Sequence, residues 1–594
     1  MDDLYTYYKE RIKVLSNESA VVKKRIHWVG SLRLAIVVAA GCVLCFSPLE
    51  GTGYAIVALL FSLPFIGLMV YHNKLFGKRH SIEILIELNQ NELKGLDNDY
   101  SAFDGADEEK DPSHSFSLDL DLFGDHSLFQ AMNRTVTGRG RQKLIRWMKQ
   151  PADKKEEILY RQEAVRELSS GPEMFQHFYM TGKQNKGQSD DGKSASLPNE
   201  TDDRLQSPVW KFLIWLVPSV WVILLVSVYF HLLPESSLGI YFALALLITY
   251  WNSKGIQKSW HEADRLDHLF SSYAHLISYV EACQFRSDRL RQLQKAFFEP
   301  PGSASEALKE LSGHIGALNQ RFSAMGTCLN ILTMRDTRHA IALERWKRRH
   351  GKEMLRWLDA LAELYAYFSL GQFAFNHPDY TYPSIADSYF SMKGEALGHP
   401  LLGRNTCVRN GIDMPRSPYF LIITGANMAG KSTYLRTVGC NYLLACMGLP
   451  ACAKQLSVYP AHLVTSLRTS DSLASNESYF FAELKRIKMI IDRMGQGEEL
   501  FIILDEILKG TNSVDKQKGS MELLKRFVRD GACGIIATHD LILGSLESEF
   551  PGEVKNYCFE ADIVDDELSF SYKLREGIAR NMNASFLIHK LLDR

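Results

Sequence analysis

Polarity along the chain changes in blocks. Residues 1–27 mix charged and apolar positions as a charged amphipathic helix does, and then the charges stop. An apolar run from Leu34 to Leu49 is followed by the short connector Glu50-Gly51-Thr52-Gly53 and a second run from Tyr54 to Tyr71. A third run extends from Phe212 to Leu233 and a fourth from Leu238 to Trp251. A helix crossing the hydrocarbon core needs roughly 20 mainly apolar residues, a length the first three approach and the fourth does not reach. Trp28, Tyr71, Trp210 and Trp251 stand at run ends, where an interfacial aromatic belt would place them.

The flanking charges predict one topology. Lys23, Lys24, Arg25 and Arg33 accompany the start of the first run, and Lys74, Lys78 and Arg79 follow the second. Lys211 precedes the third, Lys254 and Lys258 follow the fourth, and the two inner connectors contain neither Lys nor Arg. By the positive-inside rule both pairs are hairpins opening to the cytoplasm. The expectation is an integral membrane protein of the bacterial inner-membrane type, with membrane lipid around it and the bulk of the chain cytoplasmic. A buried pair of core helices in a soluble protein is the alternative, and a signal peptide fits poorly with the long charged leader.

Between and after the runs the pattern changes again. Residues 80–95 keep helical periodicity, 96–117 read as an acidic loop, and 118–182 return to helix with a break at Gly138-Arg139-Gly140. Residues 181–208 form a polar, low-complexity linker. Long helices are predicted over 255–375, and from about 385 onward short β-rich runs alternate with helices, as in an open α/β sheet.

The 68 basic and 69 acidic residues nearly cancel, which argues against a strongly basic nucleic-acid binder while leaving room for a local patch. Cys42 and Cys45 form a C-x-x-C inside an apolar run with no second pair nearby, a poor setting for zinc. Scattered thiols fit a reducing compartment.

The α/β part carries the chemistry. The β-rich run YFLIITG ends at Gly425 and leads into GANMAGKS, a match to G-x-x-x-x-G-K-[ST]. Gly425, Ala426, Asn427, Met428, Ala429 and Gly430 would wrap backbone N–H groups around the phosphates of ATP, with Thr433 just beyond on the same helix start. Lys431 would reach the β and γ phosphates, and the Ser432 hydroxyl would hold Mg2+. LFIILDE, residues 500–506, ends in two carboxylates: Asp505 suits the Mg2+ position and Glu506 the group that orients the attacking water. GIIATHD, residues 534–540, ends another buried-strand pattern at His539, placed to sense the γ-phosphate.

Taken together these residues resemble the ATPase domain of the MutS family of DNA mismatch-repair proteins. TGANMAGKSTYLR is similar to that family's extended P-loop, SDSLASNESYFFAEL to its signature segment, LDEILKGTNSVD to its Walker B continuation, ATHD to its histidine loop, and GHPLL to the start of the domain. Residues 128–168 resemble the start of its helical core. The fold implied is an ABC-type α/β P-loop ATPase domain plus an all-α core and lever region, here joined to two transmembrane hairpins. The expected division is an amphipathic segment at 1–27, hairpins at 28–72 and 209–252, core at 73–180, linker at 181–208, core and levers at 253–384, and ATPase at 385–594. The resemblance further implies a homodimer through the ATPase domains, with Ser478 or Ser475 reaching the partner's γ-phosphate. Asn410 matches the family near the adenine, but Cys407-Val408 stand where relatives place an aromatic, and Lys509 and Asn512 also differ. The mismatch-reading domain and a helix-turn-helix extension are expected to be absent.

Three functions follow as expectations. The first is a membrane-anchored ATPase whose nucleotide cycle moves helical arms in a DNA transaction inherited from the family. For DNA contact the best basic candidate is ERWKRRHGK, with Lys347, Arg348 and Arg349, although a solvated helix face accounts for the same pattern. The second is a nucleotide-switched scaffold that binds a protein partner at the membrane. The third, an ATP-driven transporter, lacks the LSGGQ signature and polar groups along its spans.

Overall fold

The computed structural model describes residues 2–46, 51–184, 207–264, 267–298, 302–426, 428–468, 479–508, 512–564 and 567–580. It opens on two long helices, α1 (Asp2–Phe46) and α2 (Gly51–Gly95), packed along each other. Helix α1 runs unbroken past residue 27 and α2 past residue 72. What changes is burial. Leu15, Val22 and Ile26 pack against Leu75 and Ile82, whereas the apolar ends beyond them lie exposed, Leu34 at 66% and Ile56 at 65%.

The helical region continues with α3 (Leu128–Met132), α4 (Gly138–Lys149), α5 (Lys155–Ser169) and α6 (Pro172–Gln184). Then come α7 (Pro208–Tyr229), α8 (Ser236–Asp264), α9 (Asp267–Ala282), α10 (Asp288–Lys295), α11 (Ala304–Asn319), α12 (Ala324–Thr333) and α13 (Arg335–Asn376). By length and composition α1, α2 and α7 could each cross a membrane, while the apolar part of α8, Ser236–Trp251, is shorter. The 42-residue α13 is the spine against which α4, α5 and α11 pack.

Two local readings need correction. Gly138-Arg139-Gly140 starts a helix rather than interrupting one, because the Thr137 hydroxyl accepts from the Gly140 N–H at 3.2 Å and caps it. Gly140 leaves room for Tyr365, whose Cβ would lie 2.6 Å from an added Cβ. Residues 118–127 are turns, not helix. Leu120 and Leu122 are buried there, and Asp119 is engaged elsewhere: it accepts from Thr465 Oγ1 at 2.5 Å and from the Arg468 N–H at 2.9 Å. Arg486 reinforces this seam by donating to the carbonyls of His114, Ser115 and Thr465.

The C-terminal unit is α/β. A small sheet, order β1-β5-β2-β3, is built from β1 (Ser384–Ile385), β2 (Met392–Leu397), β3 (Asn410–Met414) and β5 (Gln455–Val458). The main sheet also contains β4 (Tyr419–Gly425), β6 (His462–Ser466), β7 (Leu500–Asp505), β8 (Cys533–Thr538), β9 (Val554–Val564) and β10 (Glu567–Glu576). Its order is β10-β9-β4-β8-β7-β6, parallel except for the antiparallel edge strand β10. Helix α14 (Lys431–Cys446) covers one face, and α15 (Tyr479–Gly495) with α16 (Ser513–Arg529) covers the other. Burial on both faces explains why β4, β7 and β8 read as continuous apolar runs rather than alternating ones. These strands are neighbours, so the three motifs at their carboxyl ends meet at one edge of the sheet.

Candidate functional site

The turn from β4 into α14 requires its glycines. Gly425 has φ +153° and an added Cβ would lie 2.6 Å from the Phe559 carbonyl oxygen; Gly430 has φ +104° and caps the N-terminus of α14. Between them Ala429 is buried and Met428, at φ +65°, is 81% exposed. Asn427 lies outside the described residues.

Lys431 is buried at the first position of α14, and its ammonium donates to the carbonyls of Gly425 (2.7 Å) and Ala426 (2.8 Å). The loop is thus folded onto its own lysine. Next to it, Ser432 Oγ donates to Asp505 Oδ2 at 2.5 Å, which joins the helix start to the end of β7. A hydroxyl beside a carboxylate is a set of hard oxygen donors, and it fits Mg2+.

Glu506 follows Asp505 with φ +55°, and its N–H donates to the Ala537 carbonyl at 2.8 Å, which turns the chain out of the sheet. Its carboxylate is held by Lys516 of α16, Nζ to Oε1 2.5 Å. His539 stands beyond β8 with its ring nitrogens 3.4 and 3.5 Å from Lys431 Nζ. Burial, and then the adjoining Lys431 ammonium, hold this imidazole below its usual pKa, so it is neutral near pH 7.

These groups, with Thr433, line a cleft of about 580 Å³ at the sheet edge. Asn410, Cys407 and Val408 form part of its wall. Asn410 does not present a free amide: its Nδ2 donates to the Tyr572 carbonyl and its Oδ1 accepts from the Leu574 N–H, both at 3.0 Å. Tyr572 itself, at φ +52°, lines the cleft beside Gly430. Sequence reasoning missed this aromatic, since it belongs to no local motif and reaches the cleft only through the pairing of β10 with β9.

Other expected residues fall elsewhere. Ser475, Ser478 and Lys509 lie outside the described residues. Lys347 is corrected: it is 6% exposed and pairs at 3.1 Å with the fully buried Glu344, so it cannot meet a phosphate backbone without leaving the core. Arg348 and Arg349 are exposed, as are Arg345 and Lys352 of the same stretch. The Glu344-x-x-Lys347 spacing, on the same helix face as Leu343 and Met354, was the available signal.

Comparison with known proteins matches two segments. Residues 421–589 match the family model of MutS domain V, and residues 114–185 match MutS domain III. Curated relatives are each named DNA mismatch repair protein MutS. That of Thermotoga sp. (strain RQ2) is 29% identical over 236 residues, covering 39% of this chain and 29% of the relative. That of Natronomonas pharaonis is 31% identical over 227 residues, 37% of this chain and 26% of the relative. That of Persephonella marina is 35% identical over 219 residues, 35% of this chain and 24% of the relative. The matched stretch spans less than a third of the length of these relatives. Residues 114–185 and 421–589 of this chain are thus similar to domains III and V of the MutS family.

Proposed function

We propose that this chain is a membrane-anchored MutS-type ATPase that binds and hydrolyses ATP with Mg2+ to drive a dimeric conformational switch in a DNA transaction. The observation that carries the ATPase reading is the convergence of the Gly425–Ser432 loop, Asp505, Glu506 and His539 at the ends of three adjacent strands. Lys431 exchanges the Gly425 and Ala426 carbonyls for phosphate oxygens. Ser432 and Asp505 hold Mg2+, which when bound neutralises charge on the phosphates. Glu506 orients the attacking water, and neutral His539 faces the γ-phosphate position. In this chemistry fixed charges and positioning supply most of the rate enhancement. The apolar, exposed halves of α1, α2, α7 and α8, with their one-sided flanking charges, support anchoring by two hairpins.

The relatives' printed name supports DNA as the partner. The burial of Lys347 favours a second reading, a nucleotide-switched scaffold for a protein partner at the membrane. Steady-state ATPase of the detergent-purified chain, with and without homoduplex and mismatched DNA at low and moderate salt, separates the two. Salt-sensitive stimulation by DNA is expected for the first; turnover indifferent to every DNA selects the scaffold, and no turnover at all refutes the ATPase reading.

A further inference from the structure

Helix α12 has only ten residues and no place in the nucleotide site, yet its outward face is apolar. Met325 is 71% exposed, Leu329 and Leu332 are 39% exposed each, and Cys328 is exposed. Their spacing, i, i+3, i+4 and i+7, puts all four on one stripe. Just behind that stripe Ile331 and Met334 pack with Val217 and Trp221 of α7 and Ala245 of α8, and Trp221 Nε1 donates to the Ile331 carbonyl at 3.3 Å. The α12 stripe thus adjoins the exposed apolar face of α7, where Val222, Ile223, Leu225 and Val226 are each at least half exposed.

Depth can be read along the neighbouring helices. At about 1.5 Å per residue, Val217 and Trp221 lie roughly 9 and 15 Å beyond Lys211, and Ala245 lies roughly 13 Å before Lys254. Those lysines mark the charged boundary of the hairpin, so α12 is docked on its apolar side. The two flanks of α12 are tied together, since Arg335 at the start of α13 donates to Gln320 Oε1 at 2.7 Å, just ahead of α12. One turn further along α13, Arg338 donates to the Ile214 carbonyl at 2.7 Å, with its guanidinium 5.3 Å from the Trp215 ring. Arginines holding a backbone carbonyl and an indole beside an apolar slab are what a lipid interface selects.

We infer that α12 is an in-plane membrane helix, its Met325–Cys328–Leu329–Leu332 stripe lying among the acyl chains of the leaflet that α7 and α8 enter. This inference rests on the membrane reading of that hairpin. Ten residues are too few for a hydropathy scan to find, because Arg321 and Arg335 flank them. A stripe of this kind needs only the depth of a headgroup–acyl boundary, about 5–10 Å.

The test uses the full chain in vesicles of phosphatidylethanolamine and phosphatidylglycerol, with Cys42, Cys45, Cys283 and Cys407 replaced by Ala and a nitroxide on the native Cys328. Collision with oxygen is compared with collision with a water-soluble nickel chelate. Leu225→Cys labels the α7 face in a chain with Cys328→Ala, and Arg348→Cys in the same chain reports water. The expected result is oxygen favoured severalfold at both 328 and 225, and nickel favoured at 348. Lipid at 225 with water at 328, or with neither reagent reaching 328 because protein covers it, overturns the inference while leaving the hairpin in the membrane. Water at 225 overturns the membrane reading, and the inference with it.

Discussion

Lys516 Nζ sits 2.5 Å from Oε1 of Glu506, so the carboxylate proposed to orient water is held by a cation from the helix that follows it. Both side chains are 22% exposed. Glu506→Gln is expected to retain ATP binding and to lower turnover by about 10²–10⁴-fold, the usual weight of such a group. Lys516→Ala, which releases the carboxylate, is expected to raise basal turnover severalfold. Nucleotide-binding and steady-state assays on the two variants check both. Normal turnover by Glu506→Gln would remove that residue from its role.

Ser432 Oγ and Asp505 Oδ2, 2.5 Å apart, form the oxygen pair proposed for Mg2+. Ser432→Ala removes one donor and leaves the loop backbone in place. The Mg2+ concentration for half-maximal turnover should then rise on the order of tenfold or more. A titration of turnover against Mg2+ that is unchanged by the substitution would assign the ion to other groups.

Far from the cleft, Glu92 of α2 and Arg134 form an ion pair with side chains 1% and 2% exposed. Asn376, at the end of α13, donates to the same Glu92 at 2.7 Å, and the Tyr8 hydroxyl of α1 donates to Asn376 at 2.6 Å. This network ties the first hairpin to the spine. Glu92→Ala strands the buried guanidinium and is expected to cost about 3–5 kcal/mol. Thermal or denaturant unfolding in detergent measures the loss, and a shift within error would mean that water replaces the carboxylate.

Two histidines, His377 buried and His399 partly buried, predict acid sensitivity. His377 is depressed to about 4, chiefly by burial, against its bond to the Phe373 carbonyl. His399 is also depressed to about 4, by burial and then by Arg436. Both stay neutral in the folded chain while the unfolded chain takes up protons below about pH 6.5. Their contribution is therefore complete above pH 6.5 and is lost as the pH falls toward 4. The unfolding midpoint should drop steadily across that window, and His377→Gln should flatten the fall. A midpoint as steep in the variant as in the native chain would place the sensitivity elsewhere.

What was legible along the chain was local. Gly425 and Gly430 encode a backbone path that other residues cannot follow, and Lys431, Ser432, Asp505, Glu506 and His539 each end or begin an element whose own pattern announces it. The apolar runs of α1, α2, α7 and α8 were equally plain, because continuous hydrophobicity needs no partner to be read. The turns over residues 118–127 were not, since they depend on Asp119 meeting Thr465 and Arg468, hundreds of residues away.

Sequence alone determined the phosphate-binding loop, the carboxylate pair and the apolar runs, since each rests on spacing within one element. Tertiary structure decided that Tyr572 reaches the cleft, that Lys347 turns inward to Glu344, and that α12 docks beside Trp221. The reason is common to all three: strand pairing, the choice of buried helix face and the register between helices arise from contacts between distant segments, and no single segment carries them.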